Sequence, residues 1–391
     1  MINKILIGIV IIILLGLVIY GPKAIRVYNV VHLFDQDKIV NNFINMDKVF
    51  PSKPIKASSN PHIFNVRTFD LPEFYELEGK QHNLAEALDY FKSDGLIVLQ
   101  NGDLIYENYW QGNSQNQPHI SWSVAKSFLS ALIGIAYHDG LIEDLNDPIT
   151  KYLEDFQATG YANIPVKDIL QMSSGIIFNE DYADYNSDIN KFARALAQGT
   201  SMRDFAKKLE NGKEPGTFNH YVSIDTQMLA MLLEEVTGKT VSQNLEEKIW
   251  TKIGMENDAY YMVDDTGMEW ALGGLNATLR DYAKFGLLYL NKGTWNGKQI
   301  VPEDWVNASH SLKEPHLQPG DNELSSNTWG YGYQWWLTGD ESPLAVGLGY
   351  GNQILVIIPE KNIVGVIYAW NVFDNEAKYI FRDFVDILQQ L

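Results

Sequence analysis

Strand-forming sequence lies near both ends of this 391-residue chain, and helix-forming sequence fills the stretch between. Near the start, Gly95-Leu96-Ile97-Val98-Leu99-Gln100 and Leu104-Ile105-Tyr106-Glu107-Asn108-Tyr109 flank Asn101-Gly102. A tight hairpin turn needs positive φ at both central positions, and Asn-Gly tolerates this, so the segment reads as a β-hairpin. At the far end, Gln353–Ile358 and Ile363–Trp370 flank Pro359-Glu360-Lys361-Asn362 as a second hairpin, and a closing amphipathic helix is expected over about Glu376–Gln390. Strand signals at both ends with helices between them imply an α+β fold. In it, one antiparallel sheet is built from both chain ends and carries flanking helices, and an all-helical lobe is inserted at about residues 140–320.

Within that frame Ser123–His138 reads as a helix. Phe128, Leu129, Leu132, Ile133 and Ala136 form an apolar stripe, and Gly140 lies beyond its end. It looks buried nearly all round, which suits the centre of a domain. Asp225–Thr237 reads as a helix stopped by Gly238, and Thr278-Leu279-Arg280-Asp281 as a capping box with Asp in place of Glu or Gln. Residues 23–85 carry few periodic signals and include Pro51, Pro54, Pro61 and Pro72, so they are expected to be an irregular arm before a domain spanning 86–391.

Residues 1–22 hold an apolar run, Ile5–Tyr20, with Lys4 before it and Lys23 and Arg26 after it. Sixteen helical residues span about 24 Å, slightly short of a hydrocarbon core. No A-x-A-like cleavage site follows, so an N-terminal membrane anchor is favoured over a cleaved signal. The expectation is a chain held at a membrane by its N-terminal helix, or exported to the periplasm or cell surface.

Asp and Glu number 49 against 30 Lys and Arg, a formal charge of −19. Binding a phosphate backbone needs clustered cations, so nucleic acid is not expected as a partner. Cysteine is absent, which removes disulfides, a thiol nucleophile and Cys-ligated metals. The eight His residues are scattered without ligand spacing, so no metal or other cofactor is expected.

The chemistry suggested by the chain starts at Ser123-Val124-Ala125-Lys126. Residues three apart on a helix share a face, so a weak hydroxyl nucleophile stands beside an amine able to activate it. Tyr221-Val222-Ser223, after Pro215-Gly216-Thr217, offers a phenol to complete an acid/base pair. The glycines of Gly347-Leu348-Gly349-Tyr350-Gly351 allow close backbone approach, so N–H groups there can donate to an oxyanion. Asp181, Tyr182 and Asp184 follow the Ser174-Gly175 turn and could bind a substrate amine; a solvated loop is the competing reading. The aromatic run Trp329–Trp336 reads as core or pocket wall. No G-x-S-x-G elbow is present, which disfavours an α/β-hydrolase.

With Ser123-x-x-Lys126, Tyr221-x-Ser223, Leu170-x-x-x-Ser174-Gly175, Gly273-Gly274 before Thr278-x-Arg280-Asp281 and the terminal glycine-rich strand, the chain resembles the serine β-lactamase and penicillin-binding superfamily. It is most similar to the class C-related branch of carboxylesterases and 6-aminohexanoate-dimer hydrolases. The resemblance implies a site between an antiparallel sheet and a helical lobe. It implies Ser123 as the acylated nucleophile, Lys126 as its proton acceptor and Tyr221 as partner base and leaving-group acid. Ser223 stands where class C enzymes have Asn. The oxyanion donors would be the N–H groups of Ser123 and Tyr350, with Gly347-Leu348-Gly349 as the third motif. That motif lacks the Lys or His and the hydroxyl that hold a β-lactam carboxylate, so an uncharged ester or amide is the expected small-molecule substrate. Two other readings are a D-amino-acid or peptidoglycan-directed amidase, and a non-catalytic penicillin-binding-like sensor or surface protein.

Overall fold

In a computed structural model of the chain, residues 2–77, 79–320, 323–339, 344–372 and 378–391 are described. The main sheet has seven antiparallel strands in the order Gly330–Tyr331, Trp336–Leu337, Ala345–Gly349, Gln353–Ile358, Ile363–Ala369, Ser93–Gln100 and Asp103–Tyr109. The two chain ends meet where Ile363–Ala369 pairs with Ser93–Gln100, with Val364 opposite Leu99 and Val366 opposite Ile97. Both hairpins form as their turns dictate. Asn101 and Gly102 take φ of 54° and 83°, and Asn362 takes 51°.

Both faces of the sheet are covered, so its strands are apolar on both sides. Leu96, Val98, Ile354, Val356 and Ile367 cluster with Phe384, Val385 and Leu388 of the closing helix Lys378–Gln389. Leu99, Leu355, Ile357, Val364 and Val366 join the large core on the other face. The Leu279–Leu290 helix packs on that face. A Cβ on its Gly286 would come within 2.5 Å of Val364 and 2.8 Å of Leu355, so glycine is what lets helix and sheet lie this close. Thr278 caps this helix. Its hydroxyl accepts the Asp281 N–H and donates 2.7 Å to the Asp281 carboxylate.

The central helix, Ala125–His138, is buried along nearly its whole length. It packs against Ser223–Thr237, which ends at Gly238 with φ of 65°. The inserted region is not purely helical. Ala259–Met262 and Leu275–Ala277 form a second sheet with Ser52–Ile55 and His119–Ile120. Strands of two to four residues are too short for alternation to register in sequence.

The N-terminal helix runs unbroken over Ile2–Val31 with Pro22 inside it. It packs on the Asp188–Ala197 helix, and Arg26 Nη1 lies 2.5 Å from Asp265. Leu6, Ile11, Leu14, Leu15 and Val18 are exposed, while the other side chains of residues 2–13, together with Leu17 and Ile19, lie outside the described ones. Among the described residues no helix is long and apolar enough to cross a membrane, so the transmembrane helix expected from Ile5–Tyr20 finds no support here.

Candidate active site

The nucleophile candidate sits in a tighter turn than its sequence suggests. Trp122–Val124 is a 3₁₀ turn, and the α-helix begins at Ala125, so Ser123 precedes the helix and Lys126 lies in its first turn. The turn is anchored by the Ser121 N–H, which donates 3.1 Å to Leu275 O. Trp122 adopts φ of 47°, a left-handed conformation that costs a large residue of order 1–3 kcal/mol and is held only by its surroundings. Its ring packs edge-on to Phe43 and Trp270.

Lys126 is 1% exposed. Its Nζ donates to Leu272 O at 2.5 Å and Ser223 Oγ at 3.2 Å, and lies 5.4 Å from the centre of the Tyr221 ring. Burial disfavours the ammonium and brings the amine down to about 7, against the opposing pull of Glu180 and Asp225. An amine in this state is partly neutral at physiological pH and can accept a proton. Gly273, next to the accepting carbonyl, packs its Cα face on the Trp122 backbone, where a Cβ would sit 3.5 Å away.

Tyr221 and Ser223 arrive on a segment folded over the 171–175 turn. Gly216 takes φ of 73°, and its N–H donates to Ser173 O; the His220 N–H donates to Met172 O. Ser223 then opens the helix that packs on the central one, which places its hydroxyl beside Lys126. The Tyr221 ring stacks on Trp336 at 5.3 Å and meets Tyr331 edge-on at 5.9 Å. Burial, then Glu180, push its phenol far up, so it stays protonated; the Ser123 and Ser223 hydroxyls act in the opposite direction. The aromatic run thus divides: Tyr331 and Trp335 are core, and Trp336 walls Tyr221. Within the run, buried Gln334 ties three elements together. Its carbonyl accepts from Ser127, its Oε1 from Thr226, and its Nε2 donates to Leu170 O.

The third motif borders the same turn. A Cβ on Gly349 would lie 2.2 Å from Ser121 O, and one on Gly347 would lie 3.2 Å from Val124 Cγ1. Only a strand end without side chains on this face reaches the turn so closely. Tyr350 follows, its ring stacked on Tyr182 at 4.4 Å.

Of the loop residues read from sequence, Tyr182 reaches the site and Asp181 faces outward. The Asp181 carboxylate is exposed and caps its own turn by accepting the Ala183 N–H. The acid that reaches the site is Glu180, one residue earlier, which sequence reading passed over. Glu180 Oε1 accepts the Ser223 N–H at 2.5 Å and Oε2 accepts the Tyr182 hydroxyl at 3.1 Å. The missed signal is a period-two alternation: Ile176 and Phe178 are buried, Ile177 and Asn179 are exposed, and Glu180 follows on the inner side.

The β-lactamase family model matches residues 82–383. The 6-aminohexanoate-dimer hydrolase of Paenarthrobacter ureafaciens is 29% identical over 297 residues, covering 74% of this chain and 75% of that protein. A teichoic acid D-alanine hydrolase of Staphylococcus aureus (strain MRSA252) is 24% identical over 314 residues, covering 75% and 74%. A solved Bacillus anthracis structure, provisionally assigned as a 6-aminohexanoate-dimer hydrolase, superposes with a TM-score of 0.84 at 28% identity, covering 92% of this chain and 96% of that one. With Lys126, Ser223 and Tyr221 brought together and the match spanning most of its length, the chain belongs to the β-lactamase family and is a serine hydrolase.

Proposed function

We propose that the chain cleaves a small ester or amide through an acyl intermediate on Ser123. One observation carries this reading: the fully buried Lys126 amine, held between Leu272 O and Ser223 Oγ beside the Tyr221 ring, has its pKa brought to about 7 one turn after a serine. In this reading Lys126 takes the Ser123 proton as Oγ attacks the substrate carbonyl, with the protonated Tyr221 phenol beside it. The oxyanion rests on the N–H groups of Ser123 and Tyr350. Tyr221 then passes its proton to the departing alcohol or amine and regains one from the Lys126 ammonium, and water releases the acid. Gly347 and Leu348 offer no cation or hydroxyl to a substrate carboxylate, so acyl groups without one fit better. A D-aminoacyl ester or amide is the second reading, favoured by the teichoic acid D-alanine hydrolase among the relatives.

Purified protein assayed against p-nitrophenyl esters, short amides, a D-alanyl ester and a chromogenic cephalosporin tests this. Ester or amide turnover is expected to exceed cephalosporin turnover by one to two orders of magnitude in kcat/KM, the worth of a missing charge-assisted hydrogen bond. A cephalosporin as the best substrate overturns the reading. We also propose that the exposed apolar start of the N-terminal helix attaches the chain to a membrane or takes it out of the cytoplasm. The full chain should pellet with membranes or appear outside the cell on fractionation; recovery in the soluble cytoplasmic fraction refutes this.

A further inference from the structure

We propose that Glu180 is a positioning residue for the Lys126 general base: the anionic end of a Lys126–Ser223–Glu180 chain that holds the serine hydroxyl against the amine and stabilises the ammonium formed when Ser123 gives up its proton. This rests on the acyl-Ser123 reading above and deepens it.

The geometry is specific. Ser223 is 1% exposed and gripped from two sides. Its N–H donates 2.5 Å to Glu180 Oε1, and its Oγ accepts from Lys126 Nζ at 3.2 Å. The second carboxylate oxygen accepts the Tyr182 hydroxyl at 3.1 Å. Two donors on two oxygens fix the carboxylate group in place and favour its ionised form. The groups facing Lys126 are Ser223, Asp225 and Tyr221 from the segment entering the cross-packed helix, the Leu272 carbonyl, and Glu180 from the loop. Of the two acids, Asp225 accepts the Tyr161 hydroxyl at 2.8 Å, and burial pushes its carboxyl up to about 7. Burial also pushes Glu180 up, while Lys126, the Ser223 N–H and hydroxyl, and Tyr182 pull it back. Glu180 is thus the acid tied directly to the residue that Lys126 touches.

Electrostatics gives the carboxylate a double effect. A negative charge beside the amine favours its protonated form, so it raises the pH at which free Lys126 loses its proton. The same charge stabilises the ammonium that appears in the transition state, as a buried acid stabilises the imidazolium in a Ser-His-Asp triad. Removing the charge should therefore lower the plateau rate and move the acid limb of the pH profile to lower pH. A residue that only braces the loop would change the first without the second.

The test is the pH dependence of kcat/KM for the wild type and for Glu180→Gln and Glu180→Asp, on the best ester found. Glu180→Gln keeps the side chain's shape and loses the charge. Its plateau is expected to fall tenfold or more, with the acid limb shifted down by about half a unit to one unit. Glu180→Asp should restore the limb toward its wild-type position. Covalent labelling of Ser123 by a fluorophosphonate, located by mass spectrometry, separates the two levels of inference. Label absent from Ser123 in active wild-type enzyme sinks the acyl-serine reading itself. Label on Ser123 with an unshifted limb in Glu180→Gln sinks only the role of Glu180. If Glu180→Gln does not fold, Tyr182→Phe, which removes one donor from the carboxylate and so disfavours its ionised form, should shift the limb downward, by less than Glu180→Gln would. An unshifted or upward-shifted limb in Tyr182→Phe then refutes the proposal.

Discussion

Ser123→Ala is expected to lose hydrolysis by about 10⁴- to 10⁶-fold, the scale on which removing the nucleophile of a coupled serine site is felt. The substitution deletes one oxygen from a partly exposed residue in the Trp122–Val124 turn. The turn itself is held by the Ser121 N–H bond to Leu275 O and by the packing of Trp122, neither of which uses the Ser123 hydroxyl. Stability should therefore change by less than about 1 kcal/mol. Steady-state turnover, fluorophosphonate labelling and thermal unfolding measured together check this. A folded variant retaining a tenth of wild-type turnover would mean that another group attacks the substrate.

Lys126→Met should cost about 10²–10⁴-fold in kcat/KM, the usual contribution of a positioned general base. The wild-type rate should climb with pH through about 7, where the buried amine sheds its proton, and the variant should lack that limb. Stability carries a second signature. The folded-state value of about 7 lies below the ordinary 10.5. The unfolded chain then binds the extra proton between these values, so burying Lys126 costs most below about pH 7, and the cost fades as pH rises to about 10.5. At about 1.4 kcal/mol per pH unit, wild type should gain on the order of 2 kcal/mol over Lys126→Met from pH 7 to 9 in urea unfolding. A constant gap across that range would mean that the amine is not desolvated.

Much of the frame was legible because its signals are local and strong. Asn101-Gly102 permits one kind of turn, Gly238 stops a helix, and Thr278 with Asp281 caps one. That one antiparallel sheet joins both chain ends followed from finding such hairpins at both ends; its short strands Gly330–Tyr331 and Trp336–Leu337 did not. The short strands of the second sheet were invisible, since two to four residues show no period. Leu279–Leu290 sits on the main sheet because of Gly286, whose missing side chain matters only against Val364 and Leu355. At the candidate site, Ser123 and Lys126 could be proposed from their spacing and Tyr221 from its setting, and the fold brings the Lys126 amine to 5.4 Å from the centre of the Tyr221 ring. Glu180 was harder to read: the alternation through Ile176–Asn179 puts it on the inner side, but its partners, the Ser223 N–H and the Tyr182 hydroxyl, are brought to it only by the fold. The adjacent Asp181 drew attention as an acid in a polar loop, and it serves that loop.

The pairing of Ser93–Gln100 with Ile363–Ala369 has a temporal side. On the ribosome the second of these strands follows the first by roughly 260 residues. At about 5–20 residues per second, that apolar edge stays uncovered on the order of tens of seconds. The nascent polypeptide must keep it from foreign strands until the second strand emerges, and the Trp122–Val124 turn has no finished scaffold before then.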